Sequence, residues 1–241
     1  MEIVFLEKGS LGNDLDLSYF SELGHVTFYE LTKPEEVPER IRDADVIIVN
    51  KIPMNEATLS GASHLKLVAL TATGMNNIDF DYTNSHGNQV KNVAGYSTNA
   101  VAQHTFALLF YVLHRLAYYD NYVKSGAYCT NPGFSHFDEK FSELDGKTWG
   151  IVGMGAIGQR VASIAEAFGC HVIYYSTSRR NTDQPYERVD FEELLKRSDV
   201  ISLHAPLNPD TEGIMNREAF RKMKKSAFLV NVARGGLVVE Q

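Results

Sequence analysis

The sequence predicts an α/β protein built on parallel sheets. Short apolar runs alternate with amphipathic segments along the chain, which is typical of βα units. The runs are continuously apolar, as expected when helices cover both faces of a sheet. One run leads through Gly153-x-Gly155-x-x-Gly158 into a helical segment, the order found in dinucleotide-binding folds. We therefore expect a Rossmann-type doubly wound parallel sheet together with a smaller α/β region.

The composition of the chain argues against several classes of binding partner. With 241 residues, 44% hydrophobic and 22% charged, the chain has the size and composition of one large or two smaller globular domains. The net charge of −7 argues against nucleic-acid and anionic-membrane binding. Cys129 and Cys170 form neither a disulfide framework nor a metal box, and no apolar segment is long enough for a membrane span. We expect a cytoplasmic protein with no nucleic-acid, membrane or metal partner.

The first hundred residues predict a parallel sheet with short helices. The predicted strands are Ile3–Leu6, Val26–Tyr29, Val46–Val49 and Leu67–Leu70. The predicted helices are Leu15–Leu23, Glu35–Arg42 and Glu56–Ala62. The first turn, at residues 7–10, has no phosphate-loop pattern, so this half is not the nucleotide site.

The loop at Thr73-Gly74 has two interpretations. A glycine after a parallel strand lets backbone N–H groups face a ligand in the crevice where such folds bind them. Equally, the loop can be a plain turn in which Asp79 caps a helix. Composition leaves both open.

A long helix is predicted next, capped by one of residues 97–99 and running to about Lys124. Its surface is mostly apolar, which favours burial between domains or subunits. Residues 125–146 then form an irregular arm rich in glycine and aromatic residues. We interpret the helix and the arm as a homodimer contact, since exposed rings on a monomer are costly. The rings are Tyr128, Phe134, Phe137 and Phe141.

The second half continues the alternation of strands and helices. Its predicted strands are Thr148–Val152, His171–Tyr175, Val200–His204 and Ala227–Val232. Its predicted helices are Gln159–Phe168, Phe191–Arg197 and Arg217–Met223. A doubly wound dinucleotide fold has more strands than these. The sequence therefore predicts a chain truncated at its C-terminus.

Each glycine of the motif has a distinct predicted role. Gly153 allows a tight turn, Gly155 lets the backbone approach a pyrophosphate, and Gly158 lets the helix pack against the strand. The helix then points its unpaired N–H groups at the phosphates. The alternative is a purely structural glycine turn, but the strand–turn–helix context favours a cofactor site.

The residues after the second strand of this half favour NADP over NAD. An acidic residue about twenty positions beyond the glycines normally binds the ribose hydroxyls of NAD. Here that position is Ser176, followed by Thr177, Ser178, Arg179 and Arg180. Hydroxyls and arginines suit a 2′-phosphate, and no carboxylate repels it. A solvated basic turn with loose cofactor specificity is the alternative.

Four blocks in this order carry a family resemblance: Thr73-Gly74 with Asp79, Tyr96 with Ala100–Gln103, the glycine motif, and Val230–Gly236. With them the chain resembles the D-isomer-specific 2-hydroxyacid dehydrogenases, particularly the glycerate dehydrogenase/hydroxypyruvate reductase branch. The resemblance implies a flavodoxin-like substrate domain at 1–97, a nucleotide domain at 98–241, and an active site between them. It also implies hydride transfer between a nicotinamide and C2 of a small 2-oxo or 2-hydroxy acid.

The resemblance assigns roles to individual residues. Arg234 would hold the substrate carboxylate and polarise the carbonyl, which suits its planar fork of donors. The other implied substrate-binding residues are Thr73, Gly74 and Tyr96. The implied pyrophosphate contacts are Ala156 and Ile157, and the implied nicotinamide contacts are Ala205, Pro206 and Val232.

The chain also departs from the family. The family's proton-donating His and its Glu partner follow the arginine block, and this chain has no counterpart of either. Its own histidines are poor substitutes; His204, at the end of a predicted strand, is best explained by structural hydrogen bonding. We therefore expect little turnover from these 241 residues. The alternatives are a nucleotide-sensing, corepressor-like protein and a non-catalytic fragment.

Overall fold

The computed structural model describes residues 1–240 and divides into two compact units, residues 1–96 and 97–241. Gln241, the last residue of the predicted second domain, lies outside the described residues. Each unit contains one five-stranded parallel sheet, which confirms the predicted fold class. The roles assigned to the two units stay predictions.

The first unit has the strand order of a flavodoxin-like fold. Its strands are β1 (Glu2–Phe5), β2 (His25–Phe28), β3 (Val46–Val49), β4 (Leu67–Leu70) and β5 (Gln89–Lys91). Its α-helices are α1 (Val37–Arg40), α2 (Glu56–Leu59) and α3 (Phe80–Ser85). The order across the sheet is β2-β1-β3-β4-β5, so the first strand is flanked by the second and the third.

The two faces of this sheet are covered differently. Successive residues of a strand point to opposite faces, so Ile47 and Ile48 belong to two separate clusters. The Ile47 cluster includes residues of helices α1 and α2. The Ile48 cluster is instead packed by Leu11, Leu17 and Phe20 from the segment at residues 8–22. That segment contains only two 3-10 helices, Lys8–Leu11 and Ser18–Glu22.

Several helix predictions for this unit are wrong in length. The predicted helix Leu15–Leu23 is only the 3-10 turn at 18–22, where Ser18 N–H donates to Asp16 and no residue is buried. Glu35–Arg42 is a 3-10 turn followed by the four-residue α1, which ends at Arg40. Glu56–Ala62 ends at Leu59. The fifth strand was missed because Gln89 and Lys91 are polar and exposed.

The second unit has the strand order of a dinucleotide-binding fold. Its strands are β6 (Thr148–Val152), β7 (His171–Tyr175), β8 (Glu187–Arg188), β9 (Val200–Leu203) and β10 (Phe228–Asn231). Its α-helices are α4 (Thr98–Leu113), α5 (Leu116–Lys124), α6 (Ala127–Thr130), α7 (Ala156–Ala167), α8 (Phe191–Arg197) and α9 (Arg217–Lys222). Across the sheet the order is β10-β9-β6-β7-β8, which places β6, the strand before the glycine motif, at the centre.

Helices cover both faces of this second sheet. On one face Phe106 of α4 packs against Trp149 of β6, with ring centroids 4.7 Å apart, in a cluster that also contains residues of α7. On the other face, residues of α8 and α9 cluster with β9. The buried Trp149 indole N–H donates to Ser202 Oγ at 2.9 Å, so this polar group is satisfied inside the core.

The predicted long helix is two helices. Arg115 adopts a left-handed conformation, with φ of 54°, between the end of α4 at Leu113 and the start of α5 at Leu116. Its guanidinium lies 3.5 Å from the carboxylate of Glu139 in the arm. The arm is irregular after α6, and its rings are exposed as predicted, Phe134 by 98% and Phe137 by 77%. Within residues 1–240, no helix is both long and apolar enough to cross a membrane.

Candidate functional site

The turn between β6 and α7 is crowded by neighbouring backbone at two of its glycines. Gly153 has a φ of 96°, and a Cβ added there would lie 2.6 Å from the backbone nitrogen of Ala205. A Cβ on Gly158 would lie 2.2 Å from the carbonyl oxygen of Gly153. Real Cβ atoms do not come so close, so the fold itself requires both glycines. Their predicted roles in turn formation and helix packing match this geometry.

Gly155 is different. Its φ of −78° suits any residue, and a Cβ added there meets no atom within 4 Å. The fold therefore does not need a glycine at the N-cap of α7. The helix begins at Ala156, with Ile157 in its first turn, so its unpaired N–H groups lie beside this open space. Open space at a helix N-terminus fits the approach of a pyrophosphate, and the turn can therefore hold a dinucleotide.

The loop after β7 carries the predicted ribose-side residues. Ser176 is buried, whereas Ser178, Arg179 and Arg180 are exposed and Thr177 is half-buried. Arg179 has a φ of 56°, and its N–H donates to the Ser176 carbonyl at 3.3 Å. The loop is thus a tight turn with two arginines at its surface. The neighbouring Tyr175 carbonyl accepts the Gly153 N–H at 3.0 Å, which joins this loop to the glycine turn.

His204 directly follows β9 and contacts Ser202 and Val152. Its Nε2 lies 3.0 Å from Ser202 Oγ, so the predicted hydrogen bond is present, and its backbone N–H donates to Val152. Burial lowers the pKa of His204 to about 4, so the imidazole is neutral at pH 7 and cannot act as a general acid there. Ala205 follows it, buried against Gly153, and Pro206 is exposed.

Arg234 lies just after β10, in a turn framed by Asn231. The Asn231 side chain accepts the Ala233 N–H at 3.0 Å and donates to the Arg234 carbonyl at 2.9 Å. The half-buried Arg234 side chain donates from Nη1 to the Ala233 carbonyl at 2.9 Å. Val232 precedes this turn and is half-buried. The predicted substrate-binding arginine is therefore held at a defined position by local hydrogen bonds.

The remaining predicted residues belong to the first unit. Thr73 Oγ1 donates to the Val93 carbonyl at 3.2 Å, and the Thr73 carbonyl accepts from Asn92 at 2.7 Å. The Asp79 carboxylate caps α3 by accepting the Tyr82 N–H at 3.0 Å, as the plain-turn interpretation proposed. This cap does not exclude ligand binding by the Thr73-Gly74 backbone, which stays a prediction. Tyr96, the last residue of the unit, is exposed.

The predicted cofactor residues of the second unit lie at the carboxyl ends of four adjacent strands, β10, β9, β6 and β7, and Arg234 follows β10. Sequence reasoning missed the two asparagines that frame the loops, Asn92 and Asn231. Their signal is the position of each amide immediately after, or at the end of, a short strand.

Comparison with known proteins gives one consistent result. Residues 106–241 match the family described as D-isomer specific 2-hydroxyacid dehydrogenase, NAD binding domain. The chain is 38% identical to a hydroxypyruvate reductase of Blautia hydrogenotrophica, with 100% of the chain and 77% of that protein covered. It is also 38% identical to a glycerate dehydrogenase of Methylorubrum extorquens, with 99% and 74% covered.

Solved structures give the same result. An acyclic imino acid reductase, Bsp5, in complex with NADPH and D-Arg, is similar at a TM-score of 0.89 and 34% identity, covering 100% of this chain and 77% of that one. The D-lactate dehydrogenase of Aquifex aeolicus, complexed with NAD and lactic acid, is similar at a TM-score of 0.85 and 30% identity, covering 98% and 70%.

The contrast between the glycines gives the first prediction. Gly155→Ala leaves the thermal unfolding midpoint unchanged, because the added methyl meets no protein atom. The same methyl occupies the space in which a pyrophosphate would approach, so we expect nicotinamide dinucleotide affinity to fall about tenfold or more. Isothermal titration calorimetry and a thermal melt measure the two effects. Gly158→Ala is the matched control, expected to lose about 1–3 kcal/mol of stability through overpacking. Unchanged dinucleotide affinity in Gly155→Ala would falsify the assignment.

Proposed function

The chain belongs to the D-isomer specific 2-hydroxyacid dehydrogenase family, and from this premise we propose the roles of its individual residues and the identity of its ligands. Family membership makes it an oxidoreductase that uses a nicotinamide cofactor and acts on small 2-oxo or 2-hydroxy acids. The relatives' enzymatic names favour this function over a corepressor-like protein. The structural observation that carries the proposal is the open space at Gly155 before α7.

Arg234 is proposed as the group that clamps the substrate. Its guanidinium presents a planar fork of donors, which can hold the carboxylate and the 2-oxo oxygen together and polarise the C=O bond. A nicotinamide cofactor held by the second unit would exchange a hydride with C2 of the acid. Backbone N–H groups at Thr73 and Gly74, and the Tyr96 hydroxyl, are proposed as further donors to the acid. Glyoxylate, hydroxypyruvate and D-glycerate are the candidate substrates suggested by the relatives' names.

The cofactor is proposed to be NADP. Gly155, Ala156 and Ile157, at the start of α7, are proposed to contact its pyrophosphate, and Ala205, Pro206 and Val232 are proposed to lie around the nicotinamide half. The 2′-phosphate would lie at the turn after β7. Support comes from the hydroxyls of residues 176–178, from Arg179 and Arg180 at the surface, and from the lack of an acidic residue in residues 176–180.

We propose a homodimer that uses α4 and the arm. Helix α4 and the arm both belong to the second unit, and both expose large apolar side chains. Large exposed apolar surface is typical of a protein–protein interface. The exposed residues are Leu108, Tyr111, Val112, Phe134 and Phe137. Both cysteines are free thiols, which supports a cytoplasmic location. Sedimentation velocity tests the assembly: we expect a dimer that Phe137→Ser weakens, and a monomer at micromolar concentration would contradict it.

Cofactor preference is tested by titration. NADPH is expected to bind more tightly than NADH, and Arg179→Ala with Arg180→Ala should weaken NADPH binding about tenfold by removing charge-assisted hydrogen bonds to a phosphate. NADH affinity should stay the same in this double variant. Arg221→Ala, an exposed arginine on α9, is the matched control. Tighter binding of NADH by the unaltered protein would contradict the proposal.

The substrate clamp is tested separately. Arg234→Gln should lower the affinity for glyoxylate about tenfold or more, because it removes a bidentate charged contact. Calorimetry on protein saturated with the oxidised cofactor measures this affinity, since that form has no hydride to give. Arg234→Lys should recover little, as a lysine cannot form the planar fork. Dinucleotide affinity is the internal control and should not change. If Arg234→Gln left glyoxylate affinity unchanged, Arg234 would not bind the substrate.

A further inference from the structure

Three polar side chains form a hydrogen-bonded network inside the second unit that the proposed function does not use. The Trp149 indole N–H donates to Ser202 Oγ at 2.9 Å, and Ser202 Oγ lies 3.0 Å from His204 Nε2. The first two residues are fully buried, and His204 is half-buried. The network begins in β6, crosses to the neighbouring β9 and ends one residue beyond that strand. It therefore joins the central strand to the carboxyl edge of the sheet, where ligands of such folds bind.

One arrangement of hydrogen atoms satisfies this network. An indole N–H only donates, so Ser202 Oγ accepts from Trp149, and the serine hydrogen is then available to donate to His204 Nε2. Burial lowers the pKa of His204 to about 4, so at pH 7 its imidazole carries one proton, which this arrangement assigns to Nδ1. Among residues 1–240, His204 Nδ1 is buried and has no hydrogen-bond partner.

Stability alone does not explain the imidazole at position 204. A buried donor without a partner lowers the free energy of unfolding. The cluster around Trp149 is built from apolar side chains, so an apolar residue of similar volume at position 204 would avoid this cost. Residues that conflict with the packing rules of a core are expected at functional sites. The network therefore points to a role for His204 in the site that it adjoins.

The network ends at the backbone against which the glycine turn packs. The His204 N–H donates to the Val152 carbonyl at 2.8 Å. A Cβ added to Gly153 would lie 2.6 Å from the Ala205 nitrogen and 2.9 Å from the His204 carbonyl carbon. Because the interior of a protein is close-packed, a displacement of the His204–Ala205 peptide also displaces the turn. The turn leads directly into the open space before α7.

We propose that His204 is a positioning residue for the dinucleotide. Its ring, held by Ser202 and Trp149, fixes the His204–Ala205 peptide. This peptide sets the glycine turn on one side and the residues proposed to lie around the nicotinamide on the other. The inference rests on the cofactor site of the proposed function and adds to it a group that acts through the backbone. Binding sites tolerate displacements of only about 0.5 Å, so a shift of this peptide lowers dinucleotide affinity.

The test breaks the network at two points and measures dinucleotide affinity by calorimetry on the 241-residue chain. The probe is NADPH or NADH, whichever the unaltered protein binds more tightly. His204→Leu keeps a similar volume, and Ser202→Ala removes only the hydroxyl. We expect each variant to bind the dinucleotide about tenfold more weakly. The double variant should bind it no more weakly than either single variant, because both substitutions interrupt the same network.

A conservative variant separates positioning from folding. His204→Gln can place its amide oxygen near the position of Nε2 and accept from Ser202, so we expect it to recover most of the affinity. The thermal unfolding midpoint of His204→Leu should stay close to that of the unaltered protein, since the substitution removes an unpaired buried donor together with the hydrogen bond.

Thr105→Val is the matched control. Thr105 is fully buried in α4 of the same unit, and its hydroxyl donates to the Val101 carbonyl at 2.8 Å, outside the network. The substitution removes a buried hydroxyl of the same kind as that of Ser202. Its dinucleotide affinity should therefore equal that of the unaltered protein.

Unchanged dinucleotide affinity in both His204→Leu and Ser202→Ala would overturn the inference and leave the proposed cofactor site standing. Additive losses in the double variant, or a loss that His204→Gln does not recover, would also overturn it. If His204→Leu does not fold, Ser202→Ala and His204→Gln decide between these outcomes. If the unaltered protein bound neither dinucleotide, the proposed cofactor site would be wrong and the inference would fall with it.

Discussion

Close backbone approach at the end of β6 is the constraint on which the second unit depends. Gly153 lies so near the His204–Ala205 peptide, and Gly158 so near Gly153, that neither position has room for a side chain. Gly150 has the same property further back along the strand, where a Cβ would lie 2.1 Å from Ser198 Oγ. The central strand can therefore pack tightly against α8 and β9 only because these positions lack side chains. Gly155 differs from these three glycines, since a Cβ added there would meet no protein atom within 4 Å.

The central strands could be predicted because the apolar residues that mark them are consecutive in the sequence. A continuous apolar run is the direct consequence of burial on both faces, and Val46–Val49, Leu67–Leu70 and His171–Tyr175 were placed without error. The edge strands β5 and β8 were missed, since short exposed strands carry no apolar signal. The break at Arg115 was missed as well, because the left-handed region is rare outside glycine and no glycine or proline marks the break.

The candidate site likewise has features that the sequence shows and contacts that it does not show. Glycines, an arginine after a strand, and the Ser176–Arg180 turn are visible as residue types at fixed spacing. Other contacts at the site are not visible in the sequence, because the two partners are remote in the chain. Asn92 reaches the Thr73 carbonyl across 19 residues. Such contacts exist only once the sheet has formed, and for this reason a sequence pattern does not contain them.

Trp149 gives the second unit a built-in optical probe. It is the only tryptophan in the sequence, and it is fully buried in β6, the strand that leads into the glycine turn. Its indole N–H binds Ser202, which in turn lies within hydrogen-bonding distance of His204, next to the Ala205 that crowds Gly153. Indole emission responds to the polarity and hydrogen bonding of its surroundings. The emission of this one ring therefore reports, without any label, on the state of the centre of the second sheet.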